Sequence, residues 1–195
     1  MFLPRSYVHV MRKSREEAAR TRKRIVTAAS EEFRKNGIVA TGLNDLMSAA
    51  GLTHGGFYKH FASKDQLVAE ACAAAVETVI FGRLAAAASE GAGAAAAYLS
   101  TGHRDNPAAG CPLSAIGSEL ARSDEKTRAA ATAGFLKLVE IMAGQFGKVA
   151  PATARRRALV AVSTMIGALT MSRIVTDSKL SAAILKEAEK SLAEG

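Results

Sequence analysis

Residues 41–64 read TGLNDLMSAAGLTHGGFYKHFASK. Two short apolar-periodic segments flank a glycine here: Leu43, Leu46 and Ala50 are apolar on the first, Leu52 falls in the turn, and Phe57 and Phe61 are apolar on the second. That is the layout of a helix-turn-helix. Thr41 stands where an N-cap is wanted for the first helix, and Gly51 closes it, where a left-handed residue allows a sharp corner. Thr53 caps the second, which runs to about Phe61. Leu46, Leu52 and Phe57 then meet as a small core, with Ile25 and Phe33 supplied by a preceding helix.

Thr53, His54, Gly55, Gly56, Tyr58, Lys59 and His60 are what remains of the second helix once its apolar positions go to that core. Adjacent glycines in a first turn cost about 1 kcal/mol each in helix propensity, a defect that folding alone does not favour. Close backbone approach to another surface explains them: without a Cβ, a helix start sits deep in a major groove with its amides facing phosphate. Thr41 and Thr53 offer hydroxyls, Tyr58 and His60 polar tips on flat rings, and Lys59 and Lys64 charge, all common partners of phosphates or base edges. The bland alternative makes Gly55-Gly56 a loop and the aromatics core, and leaves the local charge unexplained.

That charge is sharply placed. The 195 residues carry 26 Lys+Arg and 18 Asp+Glu, a formal +8. Residues 1–64 hold 12 of the cations and 5 of the acids, net +7, so residues 65–195 hold 14 and 13, net +1. A basic end on a nearly neutral body points to nucleic acid or an anionic membrane at one module.

Outward from the motif the chain reads as all-α. Ala, Leu, Glu, Lys and Arg recur at gaps of three and four, and alanine, the best helix former, makes up about a fifth of the residues. About nine helices are expected. The first starts at the capping box Ser14-Arg15-Glu16-Glu17, buries Ala18, Ile25, Ala29 and Phe33, exposes Arg20, Arg22, Lys23 and Arg24, and ends at Asn36-Gly37. A second capping box, Ser63-Lys64-Asp65-Gln66, opens a long helix to about Ala88. Others are expected from Ala94 to Arg104, Pro112 to Arg122, Asp124 to Gly147, Ala152 to Val175 and Ser178 to Ala193. Residues 1–13 read as a disordered extension, with Met11 an alternative start. Residues 14–64 form the helix-turn-helix module and 65–195 a helical body.

At the level of named residues, the segment resembles the DNA-binding domain of TetR/AcrR-family transcriptional regulators, above all in Gly56-Phe57-Tyr58 followed by His60-Phe61, Ser63-Lys64-Asp65 and a long helix. The likeness is strong over about residues 14–70; beyond, only length and helical pattern fit. It implies an N-terminal three-helix DNA-binding domain and a C-terminal domain for ligand binding and dimerisation. Carried over by position, the DNA contacts are Thr41, Thr53, His54, Gly55, Gly56, Tyr58, Lys59, His60 and Lys64. Met47 departs from the pattern, since a small residue usually faces the partner helix there.

The resemblance also implies partners: a double-stranded DNA operator, a second copy of the chain and a small-molecule effector, with repression relieved by the effector. Phe81, Tyr98, His103, Cys111, Leu113, Phe135, Leu138, Val139 and Met142 fall on helices that would surround the effector, whose apolar walls favour a hydrophobic molecule. Leu159, Val162, Ile166, Leu169, Ile184 and Leu185 suit a four-helix interface between subunits, or else ordinary core. Gly110-Cys111-Pro112 puts a thiol at a helix start, which lowers a thiol pKa and admits a redox-sensor reading; an inert buried thiol is the default.

Other classes find less support. Gly91-Ala92-Gly93 imitates a dinucleotide fingerprint without the strand that motif requires. His9, His54, His60 and His103 lack metal-ligand spacing, Cys72 and Cys111 make no CxxC, and no hydrolase or paired-carboxylate signature appears, so neither an enzyme nor a metal or other cofactor is expected. The uncharged stretch from Ala158 to Ser172 is shorter than the ~20 residues of a bilayer span and reads as a buried helix. With no apolar leader in the first ten residues, a cytoplasmic protein is expected. A membrane-surface protein remains the alternative to a DNA-binding one, and a ligand-responsive activator the alternative to a repressor.

Overall fold

A 32-residue helix, α1 (Arg5–Asn36), begins the computed structural model, which describes residues 5–89, 93–147 and 149–194. The helix therefore starts well before Ser14, and residues 5–13, expected to be disordered, continue it; Met1 to Pro4 lie outside the described residues. Its first described side chains, residues 15–20, are all exposed, Ala18 among them, whereas Ile25, Ala29 and Phe33 are buried. Among the described side chains of α1, apolar burial begins at Ile25.

α2 (Leu43–Ala49) follows, then a 3-10 helix (His54–Lys59), then α3 (Lys64–Ala75), which passes through a π-turn (Val76–Ile80) into α4 (Phe81–Ser89). Ser63 Oγ caps α3 by accepting from the Gln66 amide at 3.1 Å, and the Gln66 side chain reaches back to the Ala62 amide at 2.8 Å. The expected single helix to Ala88 is thus broken by one wide turn. At that turn Val76 meets Gly134 of α9 (Glu125–Gly144) so closely that a Cβ on the glycine would lie 2.7 Å from Val76 Cγ2. Gly134 is what lets α3 and α9 approach.

The middle of the chain is more broken than its periodicity indicates. Leu99 ends α5 (Ala94–Tyr98) and Ser100 caps α6 (Thr101–Asp105). Ile116 separates α7 (Pro112–Ala115) from α8 (Gly117–Leu120) with a non-helical φ of −129°. α10 (Pro151–Ile174) and α11 (Ser178–Glu194) close the chain. No strand occurs among the described residues.

Two apolar cores result. One joins Ile25, Ala29, Phe33, Leu46, Met47, Phe57 and Phe61 to Leu67, Val68, Ala71 and Cys72 of α3 and to Ile116, Leu120 and Ala131 of the body. Burying each large side chain there is worth about 1.5–3 kcal/mol. The second gathers Ile80, Leu84, Tyr98, Leu138, Val139, Val162, Met165, Leu169 and Leu185. α3 and its continuation enter both cores, so the helix-turn-helix is seated on the body rather than tethered to it.

Candidate nucleic-acid interface

The corner is built as the sequence requires. Gly51 has φ +65°, its N–H donates to the Ser48 carbonyl at 2.8 Å, and Leu52 N–H donates to that of Met47 at 2.8 Å. Phe57 is fully buried, stacked on Phe61 at 5.7 Å and met edge-on by Tyr58 at 5.1 Å. The inward aromatics turn the rest of the segment out. Thr53, His54, Gly55, Tyr58 and Lys59 are exposed, Tyr58 at 66%, while Gly56 and His60 are half-buried.

The second helix of the motif is a 3-10 rather than an α-helix, as suits a six-residue segment carrying two poor helix formers. Nothing among the described residues demands those glycines. Neither has a positive φ; a Cβ at Gly55 would meet nothing within 4 Å, and one at Gly56 only Met47 Cε at 3.4 Å. Met47, the departure from the family pattern, is fully buried beneath this turn.

Two expected contacts face inward. Thr41 is 2% exposed and donates its hydroxyl to the Gly37 carbonyl at 2.5 Å. It does not cap α2, where Gly42 stands with its N–H given to Asp45 Oδ2 at 3.2 Å. Lys64 Nζ donates to the carbonyls of Ile38 at 2.5 Å and Thr41 at 2.7 Å, and lies 5.9 Å from the Phe33 ring centre. It pins the loop before α2 and keeps one N–H of three for an outside acceptor.

Arg22, read as a solvent-facing cation, is half-buried, lies 4.3 Å over the Phe61 ring and grips Glu70 through both terminal nitrogens, one at 2.7 Å. The bond from Arg22 holds the Glu70 carboxyl below its usual range. No local signal announces a partner 48 residues away. Arg20, Lys23 and Arg24 stay outside, lining a cleft of about 430 Å³ with Thr27, Ala28, Glu31 and Ala49.

The residues expected to line an effector pocket form packed core instead. Tyr98, His103, Cys111, Leu138 and Val139 are 0% exposed, Met142 is buried, and Phe81, Leu113 and Phe135 are half-buried against them. His103 Nδ1 lies 2.7 Å from the Tyr98 carbonyl, and Nε2 accepts from the Cys111 amide at 2.9 Å. The proton therefore sits on Nδ1, and burial drives the imidazole pKa down to about 4. Burial likewise pushes the Cys111 thiol up, overriding the lowering expected at a helix start. The Tyr98 hydroxyl is buried beside Cys111 and Ser114 and makes no hydrogen bond of good geometry among the described residues. Clefts lie elsewhere: about 680 Å³ between α3 and the start of α9, lined by Ala62, Ser63, Glu70 and Asp124, about 580 Å³ along α9, lined by Glu125, Arg128, Thr132 and Leu136, and about 330 Å³ lined by Phe146, Arg157, Val160 and Leu192.

Half of the expected interface is also internal. Val162, Leu169 and Leu185 are buried in the second core, whereas Leu159 is 38% exposed and Ile166 and Ile184 are half-buried. Besides Leu159, the outward large apolar side chains of α10 are Val160, Met171 and Ile174, the last three on one face with Gly167 bare among them; Leu180 adds to them from α11.

An outward-facing helix-turn-helix with a basic flank, seated on a larger helical body, is the build of a DNA-binding transcription regulator. Residues 25–71 match the family model described as "Bacterial regulatory proteins, tetR family", and residues 88–187 match "Transcriptional regulator LmrA/YxaF-like, C-terminal domain". The chain belongs to the TetR family of bacterial transcriptional regulators, and so stands with regulators rather than enzymes.

Among curated relatives it is 42% identical over 59 residues to the HTH-type transcriptional regulator TtgR of Pseudomonas putida, 30% of this chain and 28% of that one. It is 37% identical over 59 residues to a probable acrEF/envCD operon repressor of Escherichia coli, 30% of this chain and 27% of the relative. The chain thus aligns with under a third of the length of these relatives. Among solved structures, a TetR transcriptional regulator from Chloroflexus aurantiacus superposes with TM-score 0.69 at 28% identity, covering 92% of this chain and 95% of that one. A TetR-family regulator from Cytophaga hutchinsonii gives TM-score 0.72 at 20% identity, covering 91% and 96%, and speaks for the fold alone.

Proposed function

We propose that the protein is a dimeric repressor that binds a double-stranded DNA operator through the surface of residues 53–60 and is released by a small, hydrophobic effector. The observation that carries this reading is the bare backbone at Gly55 and Gly56, which neither φ nor internal space requires, beside exposed His54, Tyr58 and Lys59. Thr53, Gly55 and Gly56 approach the groove, His54 reads a base edge, and Tyr58, Lys59, His60 and the spare N–H of Lys64 meet phosphate. Repression draws support from the relative named as a probable operon repressor.

Dimerisation places two recognition segments about 34–36 Å apart, on successive major grooves. The outward face of α10, with Val160, Gly167, Met171 and Ile174, suits it. The effector site is proposed in the body beside Phe81, Leu113 and Phe135, where entry would open the second core and offer a partner to the buried Tyr98 hydroxyl. Release follows only if the effector prefers the opened state. The protein works in the cytoplasm, without cofactor or membrane.

The membrane-surface alternative rests on basic α1; separately, α10 as a whole, unlike its uncharged stretch Ala158–Ser172, is long and apolar enough by composition to cross a bilayer. It is disfavoured because Ile25 and Phe33, the apolar side of α1, are buried, and because α10 supplies Val162, Met165 and Leu169 to the core. Selecting duplexes from a random pool and titrating the winners with salt tests the choice. Affinity that falls steeply with salt is expected. Binding to anionic vesicles at physiological salt with no duplex selected would reverse the reading.

A further inference from the structure

We infer that Glu119 is a positioning residue through which the helical body fixes the helix-turn-helix for DNA, an inference that rests on the DNA-binding reading above. Its carboxylate projects from α8 across about 80 residues of sequence onto the loop between α1 and α2. Oε2 accepts from the Ile38 N–H and Oε1 from the Val39 N–H, each at 2.9 Å. Gly37, with φ +89°, leaves room for it: a Cβ there would stand 3.1 Å from Oε2. The opposite edge of the same loop is held by Lys64 on the carbonyls of Ile38 and Thr41, and by Thr41 on that of Gly37. α2 begins two residues beyond Thr41. The direction in which the motif leaves α1 is therefore set by one anion on its amides and one cation on its carbonyls, and only the anion comes from the body.

The support of Glu119 runs back into the body. Ile116 and Leu120 on either side of it are buried in the first core. On α7, Ser114 is held by α10: Arg173 donates to its hydroxyl at 3.2 Å, and Thr170 Oγ1 shares its one proton between the Ile166 carbonyl at 2.8 Å and the Ser114 carbonyl at 3.2 Å. A displacement of α10 or α7 thus reaches the loop through Glu119 and changes where the motif points. Charge-assisted bonds to two amides are strong enough to orient a loop. Val39 is exposed and Ile38 half-buried, so water takes over the Val39 amide at once when the carboxylate is removed and the Ile38 amide bears what desolvation cost there is.

The experiment compares wild type, Glu119→Ala and Glu119→Gln, the last keeping size and one acceptor. It reads amide hydrogen exchange at Ile38 and Val39, affinity for a duplex that the wild type selects from a random pool, and thermal unfolding. In Glu119→Ala both amides are expected to exchange faster and affinity to fall about tenfold, with Glu119→Gln intermediate and the unfolding midpoint little changed. Should Glu119→Ala not fold, the near-isosteric Glu119→Gln carries the test alone. Unchanged exchange, or faster exchange with unchanged affinity for the selected duplex, overturns the role of Glu119 and leaves DNA binding standing. A wild type that selects no duplex overturns both.

Discussion

Met47 Cε stands 3.4 Å from the point that a Cβ on Gly56 would occupy, and no atom of the described residues lies within 4 Å of the corresponding point at Gly55. The protein alone would therefore accept alanine at either position. Alanine is the better helix former, by about 1 kcal/mol per site. Gly55→Ala is expected to hold or raise the thermal midpoint while lowering DNA affinity at least about tenfold, the scale on which a misplaced contact element acts. Gly56→Ala should do the same with a smaller gain in stability, since Met47 must adjust. A Gly55→Ala protein that binds its duplex as tightly as wild type would mean that no close backbone approach occurs there.

Lys59 and Lys64 are both basic residues of the motif, but only Lys59 is exposed and Lys64 commits two of its donors inside the protein. Lys64→Ala should thus lower stability by about 1–3 kcal/mol, the usual cost of charged hydrogen bonds, along with affinity. Lys59→Ala and Tyr58→Ala should leave stability alone, weaken binding across sequences and, for the lysine, reduce the salt slope by about 1. Denaturant midpoints beside salt titrations of the three variants separate the cases. Equal stability of Lys64→Ala and Lys59→Ala would contradict the loop-pinning geometry.

His103 couples folding to acid. Its folded pKa, about 4, lies below the ordinary 6.5 of an unfolded chain. Between those values the unfolded state binds the proton and the folded state does not, so stability rises with pH across the window and falls as pH drops from 6.5 towards 4. The loss approaches about 3 kcal/mol over the window, at about 1.4 kcal/mol per pKa unit. Urea midpoints measured from about pH 7.5 to about pH 4.5 should slope for wild type and flatten for His103→Gln, apart from the carboxylates that titrate near the acid limit. Equal slopes would mean that the histidine is not held neutral by burial.

How far the sequence reaches depends on the range of the interaction. The corner was legible because its determinants are local: the spacing of Leu46, Phe57 and Phe61 fixes which side is buried, and Gly51 does adopt the left-handed turn at φ +65°. The internal bonds of Thr41 and Lys64 are not legible, because a hydroxyl or an ammonium takes whichever acceptor the folded chain brings, here the carbonyls of residues 37, 38 and 41. Glu119 carried no signal, being one acid among many until α8 packs under the loop. The breaks at Ser100 and Ile116 escaped a pattern of apolar residues that runs through them. α10 offered too much apolar sequence: with Val160, Val162, Met165, Leu169, Met171 and Ile174 spread around the helix, periodicity does not tell inward from outward.

The fold resolves that ambiguity and makes the subunit interface testable. On α10, Val160, Gly167, Met171 and Ile174 recur at spacings of seven, four and three, a single helical face, and all are exposed. Val162, Met165 and Leu169 occupy the opposite side and are 0% exposed. A charge on the outward face leaves the core intact and opposes association; a charge on the inward face buries an unpaired ion. Val160→Glu and Ile174→Glu should therefore remain folded and shift the protein towards monomer in sedimentation velocity, with binding to a two-half-site duplex lost and binding to a half-site retained at reduced affinity. Val162→Glu and Leu169→Glu should instead lose several kcal/mol and unfold, on the scale of an uncompensated buried charge. If Val160→Glu and Ile174→Glu both sediment as wild-type dimers, this face of α10 is not the contact and the spacing of the two recognition segments must be set elsewhere.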